Sequence, residues 1–333
     1  MNQTTRIFRA LVALAATWLA LHSPALMAQA GDYPKQPINV LVPFGTGGAA
    51  QALAERVGRE IAKNIGQPLV HDYRGGAAGL IAAGAAAKAQ PDGYTMFMGV
   101  PSALIVAPTV MKSVTRFDPE ADFDAVAPIA STPFVLFINA KLPVANLKEL
   151  IEYGKKNPGK LNFGSIGANG TDYIAGKVLQ NAAGFEMTNV PYKSVGALLP
   201  DVISGRVDVG ILSPIPVKPF VESGQLRLLA LTSAERSQSP SLKDVPTVAE
   251  QGVPGYDIVS WYGYFAPAGT PPQAIARFQQ ATAQALQNPD VQAYLLQQGL
   301  NPMKLSSKDF GDYFLADLHK WQRFVQETGI KAE

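Results

Sequence analysis

The chain has 333 residues, of which 47% are hydrophobic and 16% are charged, and its formal net charge at pH 7 is +2. It contains no cysteine, which excludes disulfides, thiolate chemistry and a lipid anchor on an N-terminal cysteine. The near balance of charge gives no reason to expect binding to nucleic acid or to an anionic membrane surface. The length suits one large domain or two of ordinary size.

The first thirty residues have the pattern of an export signal. Arg6 and Arg9 precede a twelve-residue apolar run at 10–21, and the small residues Ala28 and Ala30 frame a cleavage position. Such a run is short for a membrane-spanning helix. We therefore expect cleavage after Ala30 and export to a bacterial periplasm, with an uncleaved membrane anchor as the alternative. Removal of this segment leaves 26 basic and 26 acidic side chains.

Short apolar segments alternate with longer segments of helical spacing in the first part of the chain. The helix predicted from Ala49 carries Leu53, Val57 and Ile61 at four-residue steps, with charged residues on its other side. Alternation of strands with helices of this length predicts parallel βαβ units. The predicted strands are 38–44, 68–73, 94–100 and 134–140, and the predicted helices are 49–65 and 79–89.

The alternation of strands and helices begins again at Lys160 and continues to residue 233. Two helical segments are predicted between the run at 256–268 and the C-terminus, and the first of them begins with Thr270 as its cap. Extended runs near 131–140 and 256–268 are predicted to be two crossings between lobes. The predicted strands of this part are 160–167, 187–192, 207–213 and 226–233, with helices at 171–184 and 195–205.

The predicted fold is therefore α/β, with two doubly wound α/β lobes joined by a hinge of two crossings. Folds of this kind bind ligands at the ends of their strands, which here would face each other across a cleft. The predicted organisation is a signal peptide at 1–30, a discontinuous first lobe at 31–131 and 255–333, and a second lobe at 132–254.

A glycine-rich turn, GTGGAA at 45–50, follows the first predicted strand. It matches the dinucleotide fingerprint G-x-G-x-x-G/A, and Asp72 lies about where a ribose-binding acid would. Pro43 and Phe44 before the first glycine depart from that motif, and export separates the chain from the cytoplasmic nicotinamide pool. Amide groups at a helix N-terminus bind a carboxylate equally well. An exported NAD-linked oxidoreductase stays as the alternative reading.

The second half of the chain offers a similar loop, FGSIGANGTDY at 163–173. Ser165, Asn169 and Thr171 supply hydroxyl and amide groups there. Two such loops facing each other would enclose one anionic group. The alternative is that the glycines serve only an ordinary turn.

Six segments carry a resemblance to a known family. They are YPKQPINVLVPFGTGGAAQALAERVG (33–58), PDGYTMFMG (91–99), LPVANLKELIEYGKKNPGKLNFGSIG (142–167), NVPYKSVGALLPDVISGRVDVGI (189–211), DVPTVAEQGVPGY (244–256) and WYGYFAPAGTPP (261–272). Together they resemble the solute-binding proteins of tripartite tricarboxylate transporters, the Bug-type family. The resemblance implies a type II periplasmic-binding-protein fold that closes like a Venus flytrap around a ligand usually bearing a carboxylate.

The resemblance also implies which residues hold the ligand: the two glycine loops and the stretch after the third strand. Relatives commonly carry acids at the positions of Gln51 and Ser213. The loss of these acids in this chain removes partners for a ligand amine and makes an amino-acid ligand less expected, although Asp172 could replace one of them. The implied ligand-binding residues are Phe44, Gly45, Thr46, Gly47, Gly48, Ala49, Gln51, Ser102, Ser165, Gly167, Asn169, Gly170, Thr171, Asp172 and Ser213.

Four aromatic residues leave two possibilities open. They could form the floor of a pocket for an aromatic acid, or they could pack at the hinge between the lobes. They are Phe44, Tyr173, Trp261 and Tyr262.

No catalytic constellation is visible in the sequence. His71 and His319 have no metal-ligand spacing, and Ser165 lacks the first glycine of G-x-S-x-G. We therefore expect no catalytic residue, no metal and no cofactor. The expected protein is a monomeric periplasmic binding protein that captures a small organic acid for the permease subunits of a tripartite transporter. A binding protein that signals to a sensor kinase is the second alternative, and no nucleic-acid partner is expected.

Overall fold

The computed structural model describes residues 33–167 and 170–328, which contain two β-sheets with helices packed on them. The predicted export signal lies outside the described residues, so its cleavage after Ala30 stays a prediction. None of the helices in this part of the chain combines the length and hydrophobicity that crossing a bilayer requires.

Eleven strands and ten helices are named here in chain order for the described residues. The strands are β1 (Ile38–Pro43), β2 (Leu69–Arg74), β3 (Thr95–Gly99), β4 (Phe123–Pro133), β5 (Val135–Asn139), β6 (Asn162–Ile166), β7 (Thr188–Tyr192), β8 (Val209–Leu212), β9 (Leu226–Leu231), β10 (Val259–Pro267) and β11 (Asn301–Pro302). The helices are α1 (Ala49–Ile65), α2 (Leu80–Ala87), α3 (Ala107–Val110), α4 (Leu147–Lys156), α5 (Thr171–Ala183), α6 (Val195–Ser204), α7 (Pro214–Glu222), α8 (Pro272–Gln287), α9 (Pro289–Gln297) and α10 (Ser307–Thr328).

The two sheets share one plan. The first has the order β11-β4-β10-β3-β1-β2 and the second has the order β7-β6-β8-β5-β9. In each sheet one strand pairs in parallel with its two neighbours, β1 with β2 and β3, and β6 with β7 and β8. In each sheet a further strand, β10 or β5, pairs antiparallel with both of its neighbours. The predicted α/β fold with two doubly wound units is therefore confirmed.

The chain passes between the sheets twice. It leaves the first sheet at the end of β4 and enters the second at β5, with Phe134 between them. It returns through the segment between β9 and β10, and β10 lies antiparallel to β4 with Val259 opposite Pro133. The residue boundaries given above for the two lobes stay a prediction.

Local sequence explains why α1 forms where it does. Leu53, Val57 and Ile61 are fully buried on one face, as their four-residue spacing predicts. Gly66 ends the helix with a φ of 84°, a left-handed conformation that glycine adopts without a steric penalty. The helix therefore begins and ends at the residues predicted from the sequence.

Aromatic packing fixes the other side of the first sheet. Trp261 and Phe265 of β10 contact Phe310 and Phe314 of α10, and the Trp261 and Phe310 rings meet edge to face with centroids 5.6 Å apart. Edge-to-face pairs of this kind add about 0.5–1.5 kcal/mol to the burial of the rings. The first sheet therefore provides a rigid platform for the loops at its strand ends.

The expected parallel βαβ units are present, and β10 and β5 add antiparallel strands to the two sheets. Two local expectations need correction. Thr270 does not cap α8: the helix begins at Pro272, and the Thr270 hydroxyl donates to the carbonyl of Pro267 at 2.7 Å. Three helices, rather than two, follow β10 in the described chain, because Asn288 caps a new helix at Pro289.

Candidate functional site

A cavity lies between the strand ends of the two sheets. The space between its wall atoms is about 600 Å³ when space open to solvent is included. Its walls come from the β1–α1 loop, the β3 end, the β6–α5 loop, the β8 end and β10. The lining residues are Phe44, Gly45, Gly48, Ala49, Ala50, Val100, Ser102, Phe134, Ile166, Thr171, Asp172, Val195, Leu212, Ser213, Ser260 and Tyr262.

The first wall is the turn between β1 and α1. No side chain caps this helix at Gly48, so amides of its first turn have no side-chain partner there. Gly47 has a φ of 93°, and its amide donates instead to the Gln51 side chain at 2.7 Å. The positive end of the α1 dipole therefore faces the cavity at Gly48 and Ala49, a position at which backbone amides could stabilise an anion without a cationic side chain.

The second wall is the N-terminus of α5. Gly170 precedes the helix and has no side chain with which to cap it. Thr171, the first helical residue, is 2% exposed, and its Oγ1 has no hydrogen-bond partner. A buried hydroxyl without a partner costs about 1–3 kcal/mol. Such a group at a cavity wall is poised to hydrogen-bond a ligand.

Asp172 also lies on the second wall and is fully buried. Its Oδ2 accepts a hydrogen bond from the amide of Ile166 at 2.5 Å. Burial raises the pKa of Asp172 to about 7, against the opposing effect of backbone hydrogen bonds from Ile166, Asp172 and Tyr173. The carboxyl group therefore folds back onto the amides at the start of α5.

The wall nearest the crossings is a small polar cluster around Tyr262. Hydrogen bonds with Ser213 and Ser260 hold its buried hydroxyl, and burial raises the pKa of Tyr262 to about 12. The phenol is therefore a neutral hydrogen-bonding group. On the opposite side, the Ser102 hydroxyl donates to the carbonyl of Ala78 at 2.9 Å.

The two sheets meet closely around the cavity. A Cβ placed on Gly47 would lie 3.1 Å from the Gly196 amide nitrogen, and one on Gly167 would lie 3.2 Å from the amide nitrogen of Ala78. Phe44, with a φ of 71°, packs against the hydrophobic cluster of the second sheet. These contacts join a residue of the first sheet's loops to one of the second sheet's in each case. The cleft is therefore closed in this structure.

Charge is sparse in the cavity wall. None of the described lining residues is lysine, arginine or histidine, and Asp172 is the one acid among them. Nowhere in the described chain do three or more histidine, aspartate or glutamate side chains gather as a metal site would require. Recognition of an anion at this cavity would rest on backbone amides and hydroxyls.

The structure brings together part of the site that the sequence implies. The cavity wall includes Phe44, Gly45, Gly48, Ala49, Ser102, Thr171, Asp172 and Ser213. Thr46 and Gly47 lie on the exposed side of the first loop, and Gly170 lies behind Asp172. Asn169 lies outside the described residues.

Two implied ligand donors make other contacts. The Gln51 amide nitrogen donates to Glu55 at 2.8 Å while its oxygen accepts from Gly47. The buried Ser165 hydroxyl donates to the carbonyl of Gly167 and contacts the Asn189 side chain, each at 2.8 Å. Neither side chain lines the cavity.

The apolar lining is what sequence reasoning missed. Ile166 and Leu212 end strands, Val100 and Phe134 follow strands, and Val195 begins α6, as other core residues do. Strand alternation could have separated the aromatic pair on β10, because successive side chains point to opposite faces.

Two of the four aromatic residues line the cavity, and the other two lie elsewhere. Phe44 and Tyr262 line the cavity. Trp261 packs in the first sheet's core, where its indole N–H donates to Asp317 at 2.8 Å, and Tyr173 is buried outside the cavity wall.

Comparison with known proteins gives a consistent family. The model for the tripartite tricarboxylate transporter family receptor, TctC, matches residues 53–330. The protein BugT of Bordetella pertussis is 32% identical over 323 residues, covering 96% of this chain and 98% of BugT.

Solved structures agree with this sequence match. The R. palustris protein Rpa4515 with adipate has a TM-score of 0.85 and 32% identity, covering 90% of this chain and 99% of that one. The periplasmic binding protein BugD has a TM-score of 0.85 at 26% identity, covering 90% and 100%. MatC from Rhodopseudomonas palustris with bound malate has a TM-score of 0.82 at 27% identity, covering 88% and 100%.

These matches decide between the two classes of protein that the glycine turn left open. Members of the family are periplasmic binding proteins rather than enzymes, so the NAD-linked oxidoreductase is not supported. The chain belongs to the TctC family of tripartite tricarboxylate transporter receptors, the Bug-type solute-binding proteins.

Proposed function

We propose that this chain is a periplasmic receptor that captures a small carboxylate-bearing molecule in the cavity between its two sheets. It then presents the ligand, in its closed form, to the membrane permease of a tripartite transporter. Carboxylate ligands are supported by the adipate and malate named with two solved relatives. The family description supports the transporter partner.

The observation that carries the proposal is the unpartnered Thr171 hydroxyl. It lies buried in the cavity wall at the first residue of α5, and the N-terminus of α1 forms the facing wall. A carboxylate would accept a hydrogen bond from Oγ1 and interact with the open N-terminus of α1. Binding would therefore satisfy a group that is left without a partner in the ligand-free chain.

Closure follows from the same arrangement. The two walls belong to different sheets, so a ligand contacts both of them only when the cleft is closed. A ligand that binds the closed form more tightly shifts the population toward it by that difference in affinity.

We propose that the receptor is a monomer, exported by its N-terminal segment and cleaved after Ala30.

Thermal unfolding against a panel of small acids tests the function. The panel contains adipate, malate, a tricarboxylate, an aromatic acid, an amino acid and NAD, added to the chain without residues 1–30. A ligand at one hundred times its Kd stabilises the folded state by about 2.7 kcal/mol, which raises Tm. Stabilisation by at least one acid is expected. No shift with any acid, or a shift with NAD alone, contradicts the proposal.

The variant Thr171→Val tests the residue that carries it. It should weaken binding of the best acid by about tenfold or more, because a hydrogen bond to a charged group contributes about 1.5–3 kcal/mol. The ligand-free variant should be no less stable, since the buried hydroxyl has no partner to lose. Thr282→Val is the matched control, because that buried hydroxyl donates within α8 to Phe278. Equal affinity in the wild type and Thr171→Val would remove Thr171 from the site.

A further inference from the structure

Resting on the function proposed above, we propose that Asp172 selects the ligand. Its own carboxyl group occupies the anion position at the start of α5, so the cavity accepts acids with one carboxylate and no second anionic group, and it rejects dicarboxylates.

The Asp172 carboxyl group lies where a bound anion would lie at the start of α5. A helix N-terminus is an anion site because its amides have no partner within the helix. At α5 those amides already face a carboxyl group of the chain itself, which accepts from Ile166 at 2.5 Å and from the backbone of Asp172 and Tyr173. Gly170 leaves the space for this group, because a Cβ at that position would collide with Oδ1 of Asp172.

The rest of the cavity wall offers a ligand carboxylate one open helix N-terminus, that of α1. The N-terminus of α1 has no such internal acid: its first turn contains no acidic residue and no capping side chain. The ligand's carboxylate therefore has one open amide site, at α1, and the Thr171 hydroxyl within the same cavity. A second carboxylate on the ligand would lie in the cavity with Asp172, and no described lining residue carries a positive charge to compensate.

Electrostatics make this arrangement selective. Like charges that share a poorly solvated site disfavour each other's ionised form. A second anionic group must therefore be protonated or displaced before it can bind. A neutral amide or an apolar segment suffers no such repulsion, and Phe44, Phe134 and Leu212 provide it with an apolar surface.

The test uses two probes of the same shape, adipate and its monoamide, measured by titration calorimetry at pH 8. Asp172 is mostly ionised at that pH, because burial places its pKa at about 7. The wild type should bind the monoamide at least tenfold more tightly than adipate. Equal binding, or tighter binding of adipate, overturns the inference while leaving the proposed receptor function intact.

Two variants separate occupancy from charge. Asp172→Ser removes the carboxyl from the α5 amides, so the affinity for adipate should rise at least tenfold and the preference for the monoamide should disappear. Asp172→Asn keeps an oxygen acceptor beside these amides without the charge, so its affinity for adipate should rise less than that of the serine variant. An unchanged preference in both variants overturns the role of Asp172, and the asparagine variant decides alone if the serine variant does not fold.

A third probe tests the sign of the charge. 6-Aminohexanoate carries an ammonium group in place of the second carboxylate of adipate, and an ionised Asp172 attracts this group rather than repelling it. It should therefore bind the wild type more tightly than adipate does, and weaker binding than adipate would contradict the inference. If neither these probes nor any acid of the panel binds the wild type or the variants, the proposed function itself fails.

Discussion

Asp172 lies in an environment that does not favour its charged form. Full burial disfavours the carboxylate, and three backbone hydrogen bonds only partly offset that effect. The sequence indicates an acid in the second glycine loop, but the direction of the carboxyl depends on φ and ψ of the whole turn. The fold of the loop therefore decides whether this acid binds ligand or replaces one of its groups.

The pKa of Asp172 leads to a prediction about stability. The folded chain keeps the proton up to about pH 7, while the unfolded chain loses it near the ordinary value of 3.8. Because the folded pKa is raised, stability should fall as the pH rises from about 4 to 7, by at most about 4 kcal/mol. Asp172→Asn cannot ionise, so its Tm should exceed that of the wild type by an amount that grows from pH 4 to pH 8.

The measurement is thermal unfolding of both chains without ligand at several pH values. Asp290→Asn, the same exchange at an exposed first-turn aspartate of α9, is the control. A difference between Asp172→Asn and the wild type that stays constant from pH 4 to pH 8 would show that the Asp172 carboxyl does not gain a proton on folding.

The sequence predicts some of the side chains at the cavity but not the orientation of all of them. Thr171 and Asp172 could be selected from the sequence, because they follow a glycine loop at a predicted helix start, where polar side chains either cap the helix or contact a ligand. Ser165 is equally polar, yet its hydroxyl contacts Gly167 and Asn189, and Asn189 comes from the neighbouring strand β7. Strand pairing of this kind is not readable from local spacing, so the orientation of Ser165 could not be predicted.

At the scale of elements, the loop between β1 and α1 lines the cavity and also contacts the second sheet. Its glycines give the helix start an open face, and they also allow the start of α6 to approach, since Gly47 and Gly196 lie back to back. Three non-glycine residues of the described chain have positive φ, Phe44, Ala77 and Ala78, and all lie on the first sheet's side of this junction. Backbone strain of this kind is typical of ligand clamps.

A valine at position 47 should prevent this approach. Gly47→Val places a branched side chain where a Cβ alone would already lie 3.1 Å from the Gly196 amide nitrogen. Affinity for the best acid should fall by at least tenfold, because the closed form is destabilised. The measurement is a titration of the variant with the ligand that the panel identifies.

Gly269→Val is the matched control for backbone strain. Its φ of 84° is close to the 93° of Gly47, but no atom lies within 4 Å of the position that its Cβ would take. Both variants should lose stability to a similar degree through their backbone conformation. Only Gly47→Val should lose affinity, and equal loss in the two variants would contradict the closure mechanism.

The elements themselves were largely predictable. Periodic apolar residues locate α1 to within two residues of its observed ends. They do the same for β1, β2 and β3 of the first sheet and for β6, β7 and β8 of the second, because buried faces impose a fixed spacing. β4 could not be predicted over its eleven residues, since it contains Pro128 and Pro133 and carries no regular alternation. A strand of this kind forms through its neighbour β10, and that pairing links residues more than a hundred positions apart.

At the scale of the molecule, the two sheets place two helix starts against one cavity without a cationic side chain in its described wall. An anion site made of lysine or arginine attracts its ligand over the Debye length and weakens steeply with salt. Amides at a helix start act over one turn and in a site shielded from ions once the cleft is closed. The balanced charge of the chain after residue 30 adds no long-range attraction.

Binding of the acid should therefore depend little on ionic strength. We expect Kd to change less than about threefold between 20 mM and 500 mM sodium chloride, because screening acts mainly on exposed charges separated by more than the Debye length. Titration calorimetry with the ligand of highest affinity measures this, and choline chloride in place of sodium chloride controls for specific cation effects. A tenfold or larger loss of affinity at high salt would mean that lysine or arginine side chains outside the cavity wall attract the ligand, and that the amides alone do not account for its capture.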